Sequence, residues 1–458
     1  MIVPARPTRP IRPIEFIIFA RPMVLSQLLM ISISLIDVLV LGLLGPAAMS
    51  SGGLINSYVF VAILGITGFA FAVIPVNGAF YAKGDKPGMN LHFRAGLVLF
   101  TGLGAFACLV IFFVDRLAIM TGISETIFEG TRLFQTLIAV SCVPAAITVF
   151  LRHYLISIQR AARLDLFYAI AFGLNLFCNL LLTGFITPDI SMGMAGIAAA
   201  TVLTYLFLIG VFLREIIKSR QIMLFQRETN SLQTILKTSQ NLFRHGLPIA
   251  LILTVETTLV SSSYWLMGQF GSTQLAMHGW FMLLFDIVFM FPVGLSQALS
   301  SRLATHQCDA LGKSHHNTHI TEALIASVAT ILVVSTLIVC GVTVLSLHPG
   351  ILPAQNTQEI LTLLVRSIAY LPVLALASGL VILLAAILRT LDHKTTFNIH
   401  ILIGYWGIGI GVSYGVMTFT PLGWTGIYIG MILGFGYSAV GLALNCRRAR
   451  LSAPATSG

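Results

Sequence analysis

Charge is what this sequence has least of. Asp, Glu, Lys and Arg make up 9% of its 458 residues, while 57% of the residues are hydrophobic. Ordinary soluble domains are about 25% charged. The mean hydropathy of +0.94 leaves no hydrophilic domain that could use the net charge of +10 to bind nucleic acid. The composition therefore excludes a water-soluble globular protein.

Motifs for metal binding, ATP hydrolysis and intramembrane catalysis are also missing. The 6 cysteines form no C-x-x-C pair and are expected to be buried, unpaired thiols. No G-x-x-x-x-G-K-[ST] loop occurs, so ATP does not drive a cycle from within this chain. The absence of clustered Asp residues and of H-E-x-x-H argues against a prenyl or acyl transferase. We interpret the H-H-x-x-H cluster of His315, His316 and His319 as part of a solvated loop and expect no metal or cofactor.

Long apolar segments dominate the rest of the sequence, and each is long enough to cross a bilayer, which takes about 20 residues. If all of these segments cross the membrane, the basic residues lie on one side of it, with three exceptions: Arg116, Arg132 and Arg366. By the positive-inside rule, this side is cytoplasmic. The Arg/Pro-rich N-terminus is followed by no cleavage site and is interpreted as a retained tail. The twelve predicted spans lie at about 14–44, 53–82, 93–114, 126–151, 164–186, 192–213, 245–268, 277–301, 318–347, 357–388, 396–418 and 424–446.

An internal repeat divides the chain into two similar halves. At an offset of 226 residues Pro22 recurs as Pro248, and later a Gly-x-x-Gly motif recurs at an offset of 230. Because each half has six spans, the repeat is parallel, with its pseudo-two-fold axis along the membrane normal. The predicted organisation is a tail (1–13), a six-helix lobe (14–213), a basic cytoplasmic linker (214–244), a second six-helix lobe (245–446) and a tail (447–458). The glycines in the first register are Gly42, Gly45, Gly53 and Gly68, which match Gly268, Gly271, Gly279 and Gly294.

The predicted fold is an all-α polytopic membrane protein with twelve transmembrane helices in two lobes. This architecture is typical of a secondary transporter that alternates access between its lobes. Channels usually close a ring of subunits around a filter loop, and no such loop is found in the sequence. An ion gradient or a partner must therefore supply the energy.

Four groups of residues resemble the multidrug and toxic compound extrusion (MATE) family. They are Pro22 with Asp37 and Gly42-x-x-Gly45; Gly246-Leu247-Pro248 followed by Glu256; FMFPVGLSQALSSRLATHQCDALGK, ending at Lys313; and Tyr405-Trp406-Gly407 with GWTGIYIG from Gly423. The match covers roughly residues 15–446. The resemblance implies a twelve-helix antiporter that exchanges drugs or organic cations for H⁺ or Na⁺.

Three acidic residues, Asp37, Glu256 and Asp286, lie well inside predicted spans. A charge at the centre of a membrane helix costs about 2.5–3.5 kcal/mol on insertion scales, so such residues are functional by default. Asp37 lies about seven residues from the outer end of its span, or roughly 10 Å along the axis, where a carboxyl group can exchange a proton with the lumen. A structural role in hydrogen bonding between helices is the alternative.

Asn175 and Asn179 are four residues apart in the fifth predicted span and therefore share a helix face. Their amides can switch hydrogen bonds as a neighbouring carboxyl group gains or loses a proton, or can simply join helices. The MATE resemblance implies that Asp37 couples transport to protons and that both asparagines are its partners.

In Na⁺-driven MATE proteins, the glutamate that matches Glu256 helps form a cation site with an aspartate on the tenth helix. That aspartate position is Ser378 here. One carboxylate and one hydroxyl make a poor site for a hard cation, so we expect H⁺ coupling in preference to Na⁺. Asp286 can supply the missing carboxylate or can serve an interhelical role. Tyr264 and Phe285 are candidates, with Phe60 and Phe281, for stacking on a flat cationic drug.

The expected partners are small organic cations and the lipid bilayer, with no nucleic acid. A monomer in the inner membrane, with both termini cytoplasmic, is expected. Two alternatives stay open: Na⁺-coupled drug antiport, and a flippase for lipid-linked precursors. Such flippases share the two-lobed architecture but often line the cleft with arginine, and the predicted spans contain no cluster of arginines.

Overall fold

The computed structural model describes residues 13–120, 122–158, 160, 163–219, 231–307, 313–346, 357–391 and 399–452. Within these ranges all the regular structure is helical. A short helix, Val114–Met120, and a 3₁₀ turn, Glu125–Phe128, lie between the third and fourth long helices. The long helices are α1 (Pro13–Leu44), α2 (Pro46–Lys83), α3 (Lys86–Phe112), α4 (Arg132–Ser157), α5 (Leu164–Leu182), α6 (Met194–Lys218), α7 (Leu232–Gly268), α8 (Ser272–Gln307), α9 (Lys313–Ser346), α10 (Thr357–Ile368 and Leu371–Leu391), α11 (Ile399–Phe419) and α12 (Thr425–Ser452).

Ten helices in the described ranges are long and apolar enough to cross a membrane, and two bent helices raise the number to 12. The bent helices are α1, with 43° between Met23–Leu29 and Ile31–Leu44, and α7, with 41° between Leu232–Val255 and Thr257–Gly268. The predicted all-α polytopic fold is thus confirmed.

Several helices extend beyond the apolar segments that predicted them. α6 reaches Lys218 and α7 starts at Leu232, so both enter the stretch predicted as a linker. The expectation that His315, His316 and His319 lie in a loop is wrong, because α9 starts at Lys313 and includes them. Their side chains lie outside the described part of the structure. Apolarity marks the part of a helix that lies in lipid, whereas backbone hydrogen bonds continue into water.

The glycine repeat corresponds to repeated backbone geometry. Gly45 and Gly271, which link the first two helices of each half, have φ of 119° and 107°. Their amides donate to the carbonyls of the residues three positions earlier, at 3.2 and 3.4 Å. Gly193 and Gly423, before the last helix of each half, have φ of 54° and 55°. Residues with a Cβ rarely adopt these conformations, which explains why glycine recurs at both turns.

The chain folds into two compact units, whose boundaries fall within α1 and near the start of α8. One unit contains residues 32–279, so α7 belongs with α2 to α6. The other contains residues 280–458 and the chain up to Ile31.

In the unit of residues 32–279, α2 and α7 approach closely because glycines face the contact. A Cβ atom at Gly68 would lie 2.7 Å from the backbone nitrogen of Ala250. One at Gly246 would lie 2.8 Å from the Cα of Phe69. Close approach of this kind is how membrane helices gain dispersion contacts, because lipid supplies no hydrophobic force between them.

The other unit contains the contact that corresponds, by the sequence repeat, to the one between Gly68 and Ala250. A Cβ atom at Gly294 of α8 would lie 2.5 Å from the Cα of Val24 of α1. Gly294 and Gly68 are 226 residues apart, and so are Ala250 and Val24. The same glycine crossing is therefore built once in each unit.

Candidate functional site

Asp37 is the centre of a buried polar network in the unit of residues 32–279. Its side chain is 6% exposed. Its carboxylate accepts hydrogen bonds from Thr201 Oγ1 at 2.6 Å, from Asn179 Nδ2 at 2.8 Å and from Asn175 Nδ2 at 3.3 Å. Three helices, α1, α5 and α6, thus supply the carboxylate and its donors.

The α5 side of the network is held by a second layer of hydrogen bonds. Asn179 Nδ2 also donates to Asn175 Oδ1 at 3.0 Å, which fixes the orientation of both amides. Thr183 Oγ1 donates to the carbonyl of Asn179 at 2.6 Å where α5 ends. Both asparagine side chains are fully buried. The structure brings together the three residues predicted from the sequence, while their role in coupling stays a prediction.

Thr201 is a member of the network that sequence reasoning missed. Its hydroxyl lies 3.0 Å from the carbonyl of Ile197, four residues earlier in α6, as well as 2.6 Å from Asp37 Oδ2. Threonines in apolar helices commonly bond to their own backbone, so nothing in the sequence distinguished Thr201 from Thr204. Thr201 reaches Asp37 because the fold places α6 next to α1, which the sequence alone does not specify.

The network can satisfy both charge states of Asp37. The ionised carboxylate accepts three hydrogens. A protonated carboxyl group can instead donate from Oδ2 to Thr201 Oγ1, whose own hydrogen then goes to the carbonyl of Ile197. Rotation of one hydroxyl therefore accommodates the proton without moving a helix.

One acceptor in this network has no donor. Among the described residues, Asn179 Oδ1 is buried and accepts no hydrogen bond. Buried amide oxygens are rarely left without a hydrogen-bond donor.

The predicted cation site in the second half is described only in part. The side chain of Glu256 lies outside the described part of the structure, and the bend of α7 falls at this residue. Ser378 is 1% exposed, and its hydroxyl donates to the carbonyl of Ala375 at 3.2 Å. Asp286 is half-buried on α8 and forms no hydrogen bond with any described residue. No group of three or more His, Cys, Asp or Glu side chains suited to a metal occurs within the described ranges.

The predicted substrate-stacking aromatics pack against other side chains in this conformation. Tyr264 is 8% exposed, and its ring lies edge-on to His278, with 4.7 Å between centroids. Phe285 is buried against Phe289 at 5.4 Å. Phe60, by contrast, is exposed. Contact of Tyr264 and Phe285 with a substrate stays a prediction.

Comparison with known sequences finds similar proteins, whose alignments cover nearly the full chain. The sequence model of the MatE family matches residues 22–181. The chain is 24% identical over 440 residues to a probable multidrug resistance protein NorM of Agrobacterium fabrum, covering 93% of this chain and 91% of that protein. It is 27% identical over 438 residues to the corresponding Pseudomonas putida protein, covering 92% and 91%.

Solved structures share the fold. A MATE family transporter of the MOP superfamily in an inward-facing conformation matches with a TM-score of 0.75 at 17% identity, covering 95% of this chain and 99% of that one. The eukaryotic MATE transporter AtDTX14 matches with a TM-score of 0.72 at 18% identity, covering 95% and 97%. Together with the glycine repeat and the helix count, these similarities show that the chain has the fold of multidrug and toxic compound extrusion transporters and resembles members of that family in sequence.

Proposed function

We propose that this chain is a secondary active exporter of organic cations that exchanges them for protons by alternating access. It works as a monomer in the inner membrane, with both termini in the cytoplasm. The substrate class is supported by the names of the relatives, which are multidrug resistance proteins. The topology is supported by the distribution of Lys and Arg between the loops.

The observation that carries the proposal is the hydrogen-bond network of Asp37. A proton-coupling group must be stable in both charge states at some point in the cycle. Asp37 is removed from water, yet its Oδ2 faces a hydroxyl that can either donate or accept. A hard cation needs several oxygen ligands arranged around it, whereas a proton needs only one carboxylate oxygen.

The organic cation needs a carboxylate of its own, because the oxygens of Asp37 are occupied by three donors. Asp286 has no hydrogen-bond partner among the described residues, so its charge is available to a ligand. Glu256 is the second candidate. The proton and the organic cation then bind to different carboxylates. They compete because each favours a different conformation of the protein.

Na⁺-coupled export is the second candidate function, and one observation favours it. Asn179 Oδ1 is a buried oxygen without a donor among the described residues, and oxygen ligands of this kind suit Na⁺ as well as water. Against it, the helix-10 position that would add a second carboxylate is Ser378, whose hydroxyl hydrogen is already donated to its own helix.

Purified protein in proteoliposomes separates the two candidates. Uptake of a fluorescent planar cation would be measured with an imposed pH gradient and no sodium, and then with an imposed Na⁺ gradient at equal pH plus a protonophore. We expect transport in the first condition only. Asp37→Asn should abolish it, while the matched control Asp189→Asn, at an exposed residue of the loop before α6, should not.

Transport driven by Na⁺ and insensitive to the protonophore would disprove proton coupling. Full pH-driven activity of the Asp37→Asn variant would show that the network is structural. Equal loss of activity in both variants would point to an effect on folding, which size-exclusion chromatography of the two proteins would reveal.

A further inference from the structure

The Asp37 network lies far from the cytoplasmic side of the membrane. The loop charges predict that α6 runs from an outer end at Met194 to a cytoplasmic end at Lys218. Thr201, which binds Asp37, lies 17 residues before Lys218 (201 to 218), or roughly 25 Å along the helix axis. A proton that leaves Asp37 for the cytoplasm therefore has to cross most of this unit.

The two helices that donate hydrogen bonds to Asp37 each carry one tyrosine on the cytoplasmic side of the network. Tyr205 follows Thr201 by one turn on the same face of α6. Tyr168 precedes Asn175 by two turns on α5. The other side chains at positions 169–174 and 202–213 are apolar, apart from Thr204, whose hydroxyl donates to its own helix. The tyrosines thus supply the hydroxyls that are not committed to the backbone in these stretches.

The two phenols follow one another toward the cytoplasm. The Tyr205 phenol interacts electrostatically with the Asp37 carboxylate and with the Tyr168 phenol. The Tyr168 ring packs edge-on against Phe212, with 6.0 Å between ring centroids. Phe212 lies two turns beyond Tyr205 on α6, so Tyr168 lies deeper than Tyr205 on the way to the cytoplasmic side.

Helix α4 lines the same route and marks its cytoplasmic end. Thr148 Oγ1 lies 3.5 Å from the carbonyl oxygen of Tyr205. One turn later, the guanidinium carbon of Arg152 lies 5.8 Å from the centroid of the Tyr168 ring, and α4 ends at Ser157. The titratable groups that interact with the two phenols from other helices are Asp37 of α1 and Cys142 and Arg152 of α4.

A phenol hydroxyl can pass a proton on without becoming charged. Its oxygen accepts a hydrogen from one side while its own hydrogen is donated to the other side, so one O–H bond forms as another breaks. Both tyrosines are half-buried, which leaves part of each side chain accessible to water. Water molecules can therefore continue the chain of hydrogen bonds between one hydroxyl and the next.

We propose that Tyr205 and Tyr168 are proton-transfer residues, which carry the Asp37 proton through the unit of residues 32–279 to the cytoplasmic side near Arg152. Water molecules bridge the gaps between the hydroxyls. The O–H bond at Asp37 breaks, each hydroxyl exchanges one hydrogen for another, and the proton ends in cytoplasmic water. This role rests on the proposed coupling of transport to protons.

Two assays in proteoliposomes separate proton transfer from substrate binding. Net uptake of a fluorescent organic cation, driven by an imposed pH gradient, requires release of the Asp37 proton in every cycle. Counterflow, in which labelled cation exchanges for unlabelled cation at equal pH, requires no proton release because the protein returns with cation bound. Tyr205→Phe and Tyr168→Phe remove each hydroxyl and keep each ring. Tyr414→Phe, at an exposed residue of α11, is the matched control.

We expect net uptake by Tyr205→Phe and by Tyr168→Phe to fall about tenfold or more, since a positioned proton-transfer group contributes about 10²–10⁴-fold and water replaces part of this. Counterflow should stay at the wild-type rate in both variants. Tyr414→Phe should match wild type in both assays. Because the two hydroxyls act in series, the double variant should be little slower than the slower single variant.

Net uptake at the wild-type rate in both variants would overturn the proposal. An equal loss of net uptake and counterflow would also overturn it, because the hydroxyls would then serve binding or folding. If one variant does not fold, the other decides by the same criteria. A wild-type protein with counterflow but without pH-driven uptake would refute proton coupling and this route together, whereas pH-driven uptake that ignores both substitutions would refute the route alone.

Discussion

Gly68 of α2 is a position where a single added methyl group should be costly. A Cβ atom there would meet the Cα of Ala250 and lie 2.7 Å from its nitrogen and 3.0 Å from the carbonyl carbon of Ile249. These are backbone atoms of α7 and cannot rotate away. Relieving the overlap means separating two helices that touch along much of their length.

The expected effect of Gly68→Ala combines two opposing terms. Overpacking costs about 1–3 kcal/mol, while alanine favours a helix over glycine by about 0.5–1 kcal/mol. We therefore expect a net loss of about 0–2.5 kcal/mol in unfolding free energy. Gly294→Ala should have a similar effect, because the added Cβ atom would lie 2.5 Å from the Cα of Val24 in the corresponding contact of the other unit.

Two control substitutions separate the effect of close helix packing from the higher helix propensity of alanine. Gly102 of α3 and Gly210 of α6 also lie inside helices, but a Cβ atom at either meets nothing within 4 Å. Alanine at these two sites should be neutral or slightly stabilising. Thermal unfolding in detergent, followed by the loss of monodisperse protein, would rank the four variants. If Gly68→Ala proves as stable as Gly102→Ala, the close crossing of α2 and α7 is not a feature of the folded protein.

The remaining predictions concern the Asp37 network. Asp37→Asn should fold normally but lose active export, because an amide cannot carry the proton; efflux equal to wild type in vesicles would make Asp37 purely structural. Asn175→Ala with Asn179→Ala should shift the pH profile of transport by about one unit, since two donors to the carboxylate are lost and one unit is worth about 1.36 kcal/mol; lowered thermal stability with an unchanged profile would mean that the amides only join helices. Thr201→Val should lower pH-driven transport about tenfold, because a hydrogen bond to a charged group contributes about 1.5–3 kcal/mol. Thr204→Val, one turn away and bonded to its own backbone at 2.8 Å, is its control, and similar losses in both would contradict a special role for Thr201.

Features set by local backbone geometry could be predicted from the sequence. The recurring glycines predicted two similar halves, and the structure has Gly45 and Gly271, and Gly193 and Gly423, at matching positive φ values. The helix ends were predicted less well because hydropathy reports burial in lipid. The first turns of α7 contain residues such as Lys237 and Asn241, and Ser231 caps the helix in water by accepting from the amide of Gln233 at 3.3 Å.

The predicted members of the site share one property: each is a strongly polar group inside an otherwise apolar helix. This rarity predicts Asp37 from the sequence, whereas Asn175 and Asn179 are predicted by their spacing on one helix face and by the MATE resemblance. Thr201 lacks this property, since its hydroxyl can be satisfied by the carbonyl four residues earlier. Its tertiary partner depends on which helices become neighbours, and helical periodicity in a single chain does not specify this.

Asp286 offers the sharpest test of where the organic cation binds. It is a half-buried carboxylate on α8 without a hydrogen-bond partner among the described residues. If it were structural, it would be expected to pair with a neighbouring donor, as Asp37 does. An unpaired charge inside a membrane helix destabilises the protein unless a ligand uses it.

Asp286→Asn keeps the size of the side chain and removes its charge. We expect the KM for an organic cation to rise about tenfold or more, since a charged contact is worth about 1.5–3 kcal/mol and 1.4 kcal/mol is tenfold. Thermal stability should not fall, because no described hydrogen bond is lost and a costly charge is removed. Initial rates in proteoliposomes over a range of substrate concentrations, with Asp189→Asn as control, would measure this. A lowered thermal stability with an unchanged KM would assign Asp286 to helix packing and leave Glu256 as the carboxylate that binds the cation.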